Sequence, residues 1–263
     1  MRRFDAAYLR DTRRGMWADD RSALAPLALD DQATVLDVGS GTGAFTAVLR
    51  EEAPDASVVA LDADADLLAA GAGPRVRGDA TRLPFPDGAL DLVVCQALLV
   101  NLPDPVGAVR EFARVAADRV AVVEPDNAAV SVASTVDSEA PLARRAREAY
   151  VAGVPTDVTL GADAADVLRD AGLSGVQTAT YHHARTVDPP YADRDVEAAR
   201  RKATAARLDE TRATLLAGGL TPAEYDALRA DWRSMGRSVA AQMRDERYRR
   251  AEVVPFHVAA GAV

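Results

Sequence analysis

Short apolar runs alternate with amphipathic segments over the first half of the chain. The runs predict strands, at residues 33–38, 57–62, 74–79, 89–96 and 119–124. The segments between them predict helices, at residues 44–52, 64–70 and 105–115. Strands that alternate with helices need crossover connections, so the pattern predicts an α/β fold with a mostly parallel sheet covered on both faces.

Helical patterns dominate the rest of the chain. They predict helices at residues 5–28, 139–152, 163–170 and 192–250, the last of them broken at Gly218-Gly219. Two more strands are predicted, at residues 174–187 and 251–261. We therefore expect three parts: a helical cap over 1–30, a core over 31–125, and a C-terminal part over 126–263 with helical insertions at 126–160 and 192–250.

Composition narrows the class of protein. The chain has 263 residues, is 49% hydrophobic, and carries 40 acidic against 31 basic residues, for a net charge of -9. An acidic chain repels polyanions, which argues against nucleic-acid binding. No apolar run is long enough to span a membrane, and no signal peptide is visible. A single cysteine, Cys95, excludes an internal disulfide and fits a cytoplasmic location, and no metal-ligand spacing is present.

The most informative segment is VLDVGSGTG, in which three glycines, Gly39, Gly41 and Gly43, follow the first strand. Such a turn lets the backbone approach a ligand closely, because no Cβ intervenes. A P-loop is excluded, since Ala44 rather than lysine follows the last glycine. A nicotinamide or flavin fingerprint formally fits, with an acid at the end of the second strand.

Asp37 argues against a dinucleotide. A carboxylate two residues before the glycines would repel a pyrophosphate but would attract a cation. S-adenosylmethionine (SAM) carries an ammonium and a sulfonium next to an adenosine. The segment therefore favours a nucleoside cofactor with a positive charge.

Residues 33–125 as a whole resemble the class I SAM-dependent methyltransferases, especially the small-molecule group that includes quinone methylases. The resemblance is carried by VLDVGSGTGAFT, by VVALDADADLL, and by VRGDATRLPFPDG with the apolar run after it. It implies a Rossmann-like sheet of seven strands with a reversed last strand, at 251–261, and the strand before it at 174–187.

The resemblance also implies a cofactor site. By the family's pattern, Asp62 would bind the ribose hydroxyls, Asp79 the adenine amino group, and Ala80 the ring through its N–H. Taken singly, Asp79 could instead be a helix N-cap and Asp62 a turn residue. The residues implied to line the site are Asp37, Gly39, Ser40, Gly41, Gly43, Asp62, Ala63, Asp79, Ala80, Cys95, Gln96 and Ala97.

Methyl transfer depends mainly on alignment of the acceptor, which can lower a barrier by about 7–11 kcal/mol. A general base is needed only where the acceptor must lose a proton. The candidate catalytic residues are Asn101, Glu124 and His182. Asn101 lies where the family often has a histidine pair, and Glu124 could equally cap its strand. Because His182 and His183 are adjacent on a strand, at most one can face a pocket.

We expect the helical segments outside the sheet to cover the site. Tyr8 and Trp17 either cover the cofactor or pack in the core. We expect a small-molecule acceptor. The alternatives are a protein or RNA methylase, a protein that senses SAM without catalysis, and an NAD(P)-dependent oxidoreductase.

Overall fold

The computed structural model describes residues 6–263, without the side chains of Ala7, Tyr8 and Arg10. The strands are β1 Thr34–Val38, β2 Ser57–Asp62, β3 Arg75–Arg77, β4 Leu90–Gln96, β5 Ala116–Pro125, β6 Ser131–Ser134, β7 Ser174–Val187 and β8 Arg250–Ala262. The α-helices are α1 Ala6–Thr12, α2 Ala44–Glu52, α3 Ala65–Ala70, α4 Pro105–Val115, α5 Glu139–Gly153, α6 Ala164–Asp170, α7 Asp193–Thr204, α8 Ala206–Glu210, α9 Arg212–Ala217 and α10 Pro222–Arg244.

The chain forms two compact units. Of the described residues, the first unit contains 6–126, 159–181 and 256–263. The second unit contains Asn127–Val158 and His182–Pro255. Strands β7 and β8 therefore contribute residues to both units.

The sheet has the strand order β3-β2-β1-β4-β5-β8, and β7 pairs with β8. Strands β1 to β5 are parallel to one another. Strand β8 is antiparallel to β5, with Val120 opposite Gly261. The predicted α/β fold with a reversed last strand is thus confirmed. The short strand β6, which pairs with the start of β8, was not predicted.

Burial on both faces explains why the central strands are continuous apolar runs. In β1 and β4, Val35, Leu36, Leu92 and Val93 are fully buried. Helix α4 packs on this core and begins as predicted, with the Asp104 carboxylate accepting from Gly107 N at 2.8 Å. Strands of this kind are typical of a parallel sheet between two helical layers.

The N-terminal segment differs from the prediction of one helix over residues 5–28. Helix α1 ends at Thr12, and the chain then turns through Gly15 and Trp17, which have φ of +69° and +66°. Short 3-10 turns follow at Ser22–Leu27 and Leu29–Asp31. Glycine and proline (Pro26 lies inside the first turn) interrupt the helical pattern.

The second unit is mainly helical and packs around two apolar clusters. Helix α10 begins at a capping box, in which Thr221 Oγ1 accepts from Glu224 N and Glu224 accepts from Thr221 N. The predicted break at Gly218-Gly219 is confirmed. A further break at Ala205, with φ +60°, was not predicted because alanine carries no turn signal.

No helix among residues 6–263 combines the length and the apolar surface that crossing a bilayer requires.

Candidate active site

The glycine turn between β1 and α2 is held against β2. Gly39, Gly41 and Gly43 have φ of +72°, +56° and +81°, which only glycine adopts without strain. The N–H groups of Gly39 and Ser40 both donate to Leu61 O, at 2.7 and 3.0 Å. The turn is thus fixed by backbone bonds before any ligand is present.

The turn also offers features that fit a bound ligand. A Cβ on Gly39 would lie 2.8 Å from Leu98 Cδ1, so the backbone approaches its neighbours where a side chain would not fit. The hydroxyl of Ser40 is buried, and the part of the chain that the structure describes provides no hydrogen-bond partner for it. Because a buried hydroxyl without a partner is costly, this hydroxyl is available to a ligand.

Asp37 is 1% exposed and accepts a hydrogen bond from Thr46 Oγ1 at 2.5 Å. Burial raises the pKa of its carboxyl to about 7. The hydrogen bond from Thr46 lowers this pKa, and the nearby charge of Asp62 raises it. Among the described residues no cation lies within ion-pair distance of it. The more distant charge of Arg50 lowers this pKa, so the ionised acid has a longer-range cation but no direct ion-pair partner among the described residues.

Asp62 joins the second strand to the glycine turn. Its Oδ2 accepts from Gly41 N at 2.8 Å and its Oδ1 accepts from Asp64 N at 2.8 Å. A carboxylate has about four acceptor positions, so two remain for hydroxyl donors. The next residue, Ala63, is exposed, and its carbonyl accepts from Arg77 Nε.

Asp79 lies in an exposed turn after β3. Its Oδ1 accepts from Thr81 N at 2.9 Å and from Thr81 Oγ1 at 2.8 Å, and these bonds lower the pKa of its carboxyl. No helix begins here, so the N-cap alternative is wrong and Asp79 closes a turn instead. Ala80, beside it, is half-buried against the core of the first unit.

The end of β4 brings three predicted residues together. Cys95 is fully buried, and burial next to Glu124 raises the pKa of its thiol well above the usual range. The side chain of Gln96 accepts from Trp17 Nε1 at 2.8 Å. Ala97 adopts φ +50°, a left-handed conformation that is strained for alanine.

Glu124 anchors the loop that follows β4. The carboxylate is fully buried; Oε1 accepts from Leu98 N at 2.9 Å and Leu99 N at 2.8 Å, and Oε2 accepts from Val100 N at 3.3 Å. Burial raises its pKa to about 7, although these three bonds oppose the shift. Of the two roles considered for Glu124, a catalytic residue or a cap at the end of its strand, these contacts favour the cap.

Asn101 serves the same loop. Its side chain is buried and Nδ2 donates to Ala97 O at 2.9 Å. His182 lies elsewhere, on the second-unit part of β7, where it is exposed while His183 is buried. The two histidines thus point to opposite faces of the strand, as predicted.

Sequence reasoning only partly anticipated the role of Trp17. Its ring is 2% exposed and stacks on Tyr181, with centroids 4.2 Å apart, and its backbone N–H donates to Tyr181 Oη at 3.1 Å. Tyr181 was missed, because a tyrosine near the middle of a long strand carries no motif. The side chain of Tyr8, the other residue proposed to cover the site, lies outside the described residues.

Residues 36–123, which contain this turn and the ends of β1, β2, β4 and β5, match the family model of a methyltransferase domain. Over this range the chain is thus similar to methyltransferase domains, which supports the resemblance to class I SAM-dependent methyltransferases. Within the described residues, no group of three or more histidine, cysteine or acidic side chains is arranged to hold a metal ion.

The methyltransferase domain is also similar to curated proteins. It is 42% identical over 98 residues to a demethylmenaquinone methyltransferase of Mycolicibacterium vanbaalenii, which covers 36% of this chain and 42% of the relative. It is 45% identical over 84 residues to the demethylmenaquinone methyltransferase of Mycolicibacterium paratuberculosis, over 31% of this chain and 36% of the relative. The match thus spans less than half of each relative's length.

The fold is similar to that of a solved structure of a Bacillus halodurans protein classed as a methyltransferase. The TM-score is 0.52 at 18% identity, with 93% of this chain and 98% of the other covered. At this identity the similarity supports the fold alone.

Proposed function

We propose that this protein transfers the methyl group of SAM to a small-molecule acceptor. The observation that carries the proposal is the carboxylate of Asp37, which is buried directly before the glycine turn with no cation of the described residues within ion-pair distance. A buried carboxylate without a counter-charge is unfavourable, so the site is built for a ligand that brings a positive charge. A pyrophosphate would add a second negative charge at the same place.

We assign the cofactor-binding roles that the family resemblance implies, and the contacts of Asp37, Ser40 and Asp62 support this assignment. Asp37 faces the ammonium end of SAM, the two open acceptor positions of Asp62 take the ribose hydroxyls, and the buried Ser40 hydroxyl bonds the ligand. Asp79 and Ala80 recognise the adenine. Bound SAM supplies an electrophilic methyl carbon, which Cys95, Gln96 and Ala97 flank.

The contribution of the chain to catalysis is alignment rather than proton transfer. The carboxylate of Glu124 is occupied by three backbone N–H groups, and Asn101 bonds Ala97 O, so both fix the loop beside the methyl group. We assign them as positioning residues. His182, exposed on β7, belongs to the second unit, and we assign it no catalytic role.

A quinone-type acceptor is the first class to test. The curated relatives are named as demethylmenaquinone methyltransferases, but the similarity covers only 36% of this chain. The residues that select the acceptor are expected in 126–160 and 192–250, most of which belong to the second unit. The acidic chain makes RNA an unfavourable substrate.

The direct test is calorimetry with S-adenosylhomocysteine, the product cofactor, against NADH and NADPH. We expect micromolar binding of S-adenosylhomocysteine and none of the dinucleotides. Transfer of label from methyl-labelled SAM to a reduced naphthoquinone, with bulk protein and RNA as other acceptors, then tests the reaction. Tight binding of a dinucleotide without binding of S-adenosylhomocysteine would overturn the proposal, and binding without transfer to any acceptor would favour a sensor.

A further inference from the structure

The second unit contains a buried network of charged side chains that the proposed methyl transfer does not use. Its centre is Glu139, at the start of α5, which is 1% exposed. The other members come from β6, α5, β7, α7 and the region of β8: Ser134, Arg147, Arg185, Lys202, Tyr248, Arg250 and Glu252.

The carboxylate of Glu139 is fully occupied. Its Oε1 accepts from Lys202 Nζ at 2.5 Å and Arg250 Nε at 3.1 Å, and its Oε2 accepts from Ser134 Oγ at 2.6 Å and Tyr248 Oη at 2.9 Å. Four donors fill the four acceptor positions of a carboxylate. Glu139 therefore cannot satisfy any further donor in the network.

Glu252 is shared between two arginines. One oxygen accepts from Arg185 Nη2, and the other accepts from Arg250 Nη2 at 2.5 Å. The Nε–H of Arg185 is nevertheless buried and has no acceptor among the described residues. The arginines thus have more donors than the two carboxylates can accept.

Arg147 adds a cation that no carboxylate neutralises directly. It is half-buried, and its Nη1 donates to the carbonyl of Val130 at 2.7 Å. No carboxylate of the described residues lies within ion-pair distance of it. Burial lowers the pKa of its guanidinium; the more distant charge of Glu252 opposes this shift, and the like charge of Arg250 adds to it. The network therefore holds four cations against two carboxylates.

The excess positive charge lies toward the accessible side. The Glu139 and Glu252 side chains are 2% and 13% exposed, whereas those of Arg250, Lys202 and Arg185 are 15%, 21% and 32% exposed. Glu139 is the most buried charge of the network, and the cations retain limited contact with solvent. Such an arrangement presents a concentrated positive field in a surrounding of low dielectric constant.

Lys202 distinguishes this network from the rest of the chain, because it is the only lysine among 31 basic residues. Its ammonium donates one hydrogen bond to Glu139 Oε1 and a second to Tyr248 Oη, the latter at 3.0 Å. Lysine has three donors, so one remains. Together with the free donors of the arginines, it can meet an anion from outside.

We propose that Arg147, Arg185, Lys202 and Arg250 form a binding site in the second unit for the carboxylate or phosphate group of a small molecule. An excess of positive over negative charge in a largely buried network is costly, and an incoming anion with several oxygens would satisfy the open donors. The proposal goes beyond the proposed methyl transfer and stands on the second unit alone.

Calorimetry with inorganic phosphate and with malonate tests the site, at constant ionic strength maintained with sodium chloride. We expect saturable binding to the wild-type chain and affinity about tenfold weaker in Arg147→Gln, the loss of one charge-assisted contact. Arg185→Gln is a second variant for the case in which Arg147→Gln does not fold. The matched control is Arg144→Gln: Arg144 is exposed on the same helix, and the one ion pair that it forms with the described residues is with Glu148, at 4.0 Å.

Arg144→Gln should bind phosphate as the wild-type chain does. Absence of saturable binding by both phosphate and malonate would overturn the proposal, as would equal losses in Arg147→Gln and Arg144→Gln. Binding of S-adenosylhomocysteine by the same variants separates the two proposals, because it should be unchanged in Arg147→Gln. Phosphate binding without S-adenosylhomocysteine binding would leave the anion site standing and remove the proposed function.

The source of the anionic group can be distinguished once an acceptor is found. If the group belongs to the acceptor, phosphate raises the KM for the acceptor, and Arg147→Gln abolishes this competition. If it belongs to a separate small molecule, phosphate binds without changing that KM. Either result supports the site.

Discussion

The hydroxyl of Thr46 donates to the buried carboxylate of Asp37 at 2.5 Å, which joins helix α2 to strand β1. This one neutral donor does not offset the burial of the carboxylate, so the pKa of Asp37 is raised to about 7. The protonation state of Asp37 therefore changes near neutral pH, where a bound cation would favour the ionised form.

We expect the affinity for S-adenosylhomocysteine, which retains the ammonium, to rise as pH increases from 6 to 8. Below about pH 7 the free protein holds a proton on Asp37 that binding of the cation must release. Calorimetry in buffers of different ionisation enthalpy measures both the affinity and the released proton. Thr46→Val removes the bond that stabilises the carboxylate and should move the midpoint to higher pH. An affinity independent of pH in this range would contradict the role given to Asp37.

The raised pKa of Asp37 also affects the stability of the fold, which we expect to fall as pH rises, whereas the affinity for the ligand rises. A carboxyl whose pKa is raised on folding holds a proton that the unfolded chain has lost, so its contribution to stability falls as pH rises from about 4 to about 7. Asp37→Asn removes this titration. We expect the free energy of unfolding of the variant, measured relative to the wild-type chain, to be about 2–4 kcal/mol higher at pH 8 than at pH 4. Urea unfolding of both chains across this pH range measures the change, and parallel pH curves would show that Asp37 does not titrate as proposed.

Asp62 allows a matched test of the ribose contact. Asp62→Asn loses the charged acceptor that faces the hydroxyls, and we expect binding of S-adenosylhomocysteine to weaken about tenfold or more. Asp66→Asn is the control, because Asp66 is exposed on the adjacent helix α3 and its charge is removed in the same way. Calorimetry at pH 8 compares the two. Equal losses would indicate a general electrostatic effect rather than a contact.

The sequence predicts those parts of the molecule whose conformation is determined by residues close together in the chain. The strands of the first unit are apolar runs, and the glycine turn needs residues of one type at fixed positions, so both could be placed. Strand β6, with the sequence SVAS, is short and half polar, and it forms only because β8 supplies a partner far along the chain. The contact of Trp17 with Gln96 joins residues 79 positions apart, which no local pattern reports.

Gly39 allows the cost of backbone strain to be separated from the cost of a close contact. Gly39→Ala places a Cβ 2.8 Å from Leu98 Cδ1, whereas Gly88, which also has a positive φ of +59°, has no atom within 4 Å of such a Cβ. Gly88→Ala should cost about 1–2 kcal/mol of stability, and Gly39→Ala more, because the buried Leu98 must also move. Chemical denaturation measures both. Leu98→Ala should reduce the excess cost of Gly39→Ala, and an unchanged excess in the double variant would contradict the contact.

The hydrogen bond from Trp17 Nε1 to Gln96 ties the N-terminal turn to the end of β4, and a double-mutant cycle measures it. Trp17→Phe removes the donor and retains an aromatic ring against Tyr181, and Gln96→Ala removes the acceptor. We expect a coupling free energy of about 1 kcal/mol in stability and a matching coupling in S-adenosylhomocysteine affinity, since Gln96 is a proposed cofactor residue. Pairing Trp17→Phe with Tyr181→Phe is the control, because the Tyr181 hydroxyl bonds the backbone of Trp17, which the first substitution leaves in place. Additive effects in the Gln96 cycle would show that the N-terminal turn packs on the core without positioning the cofactor residue.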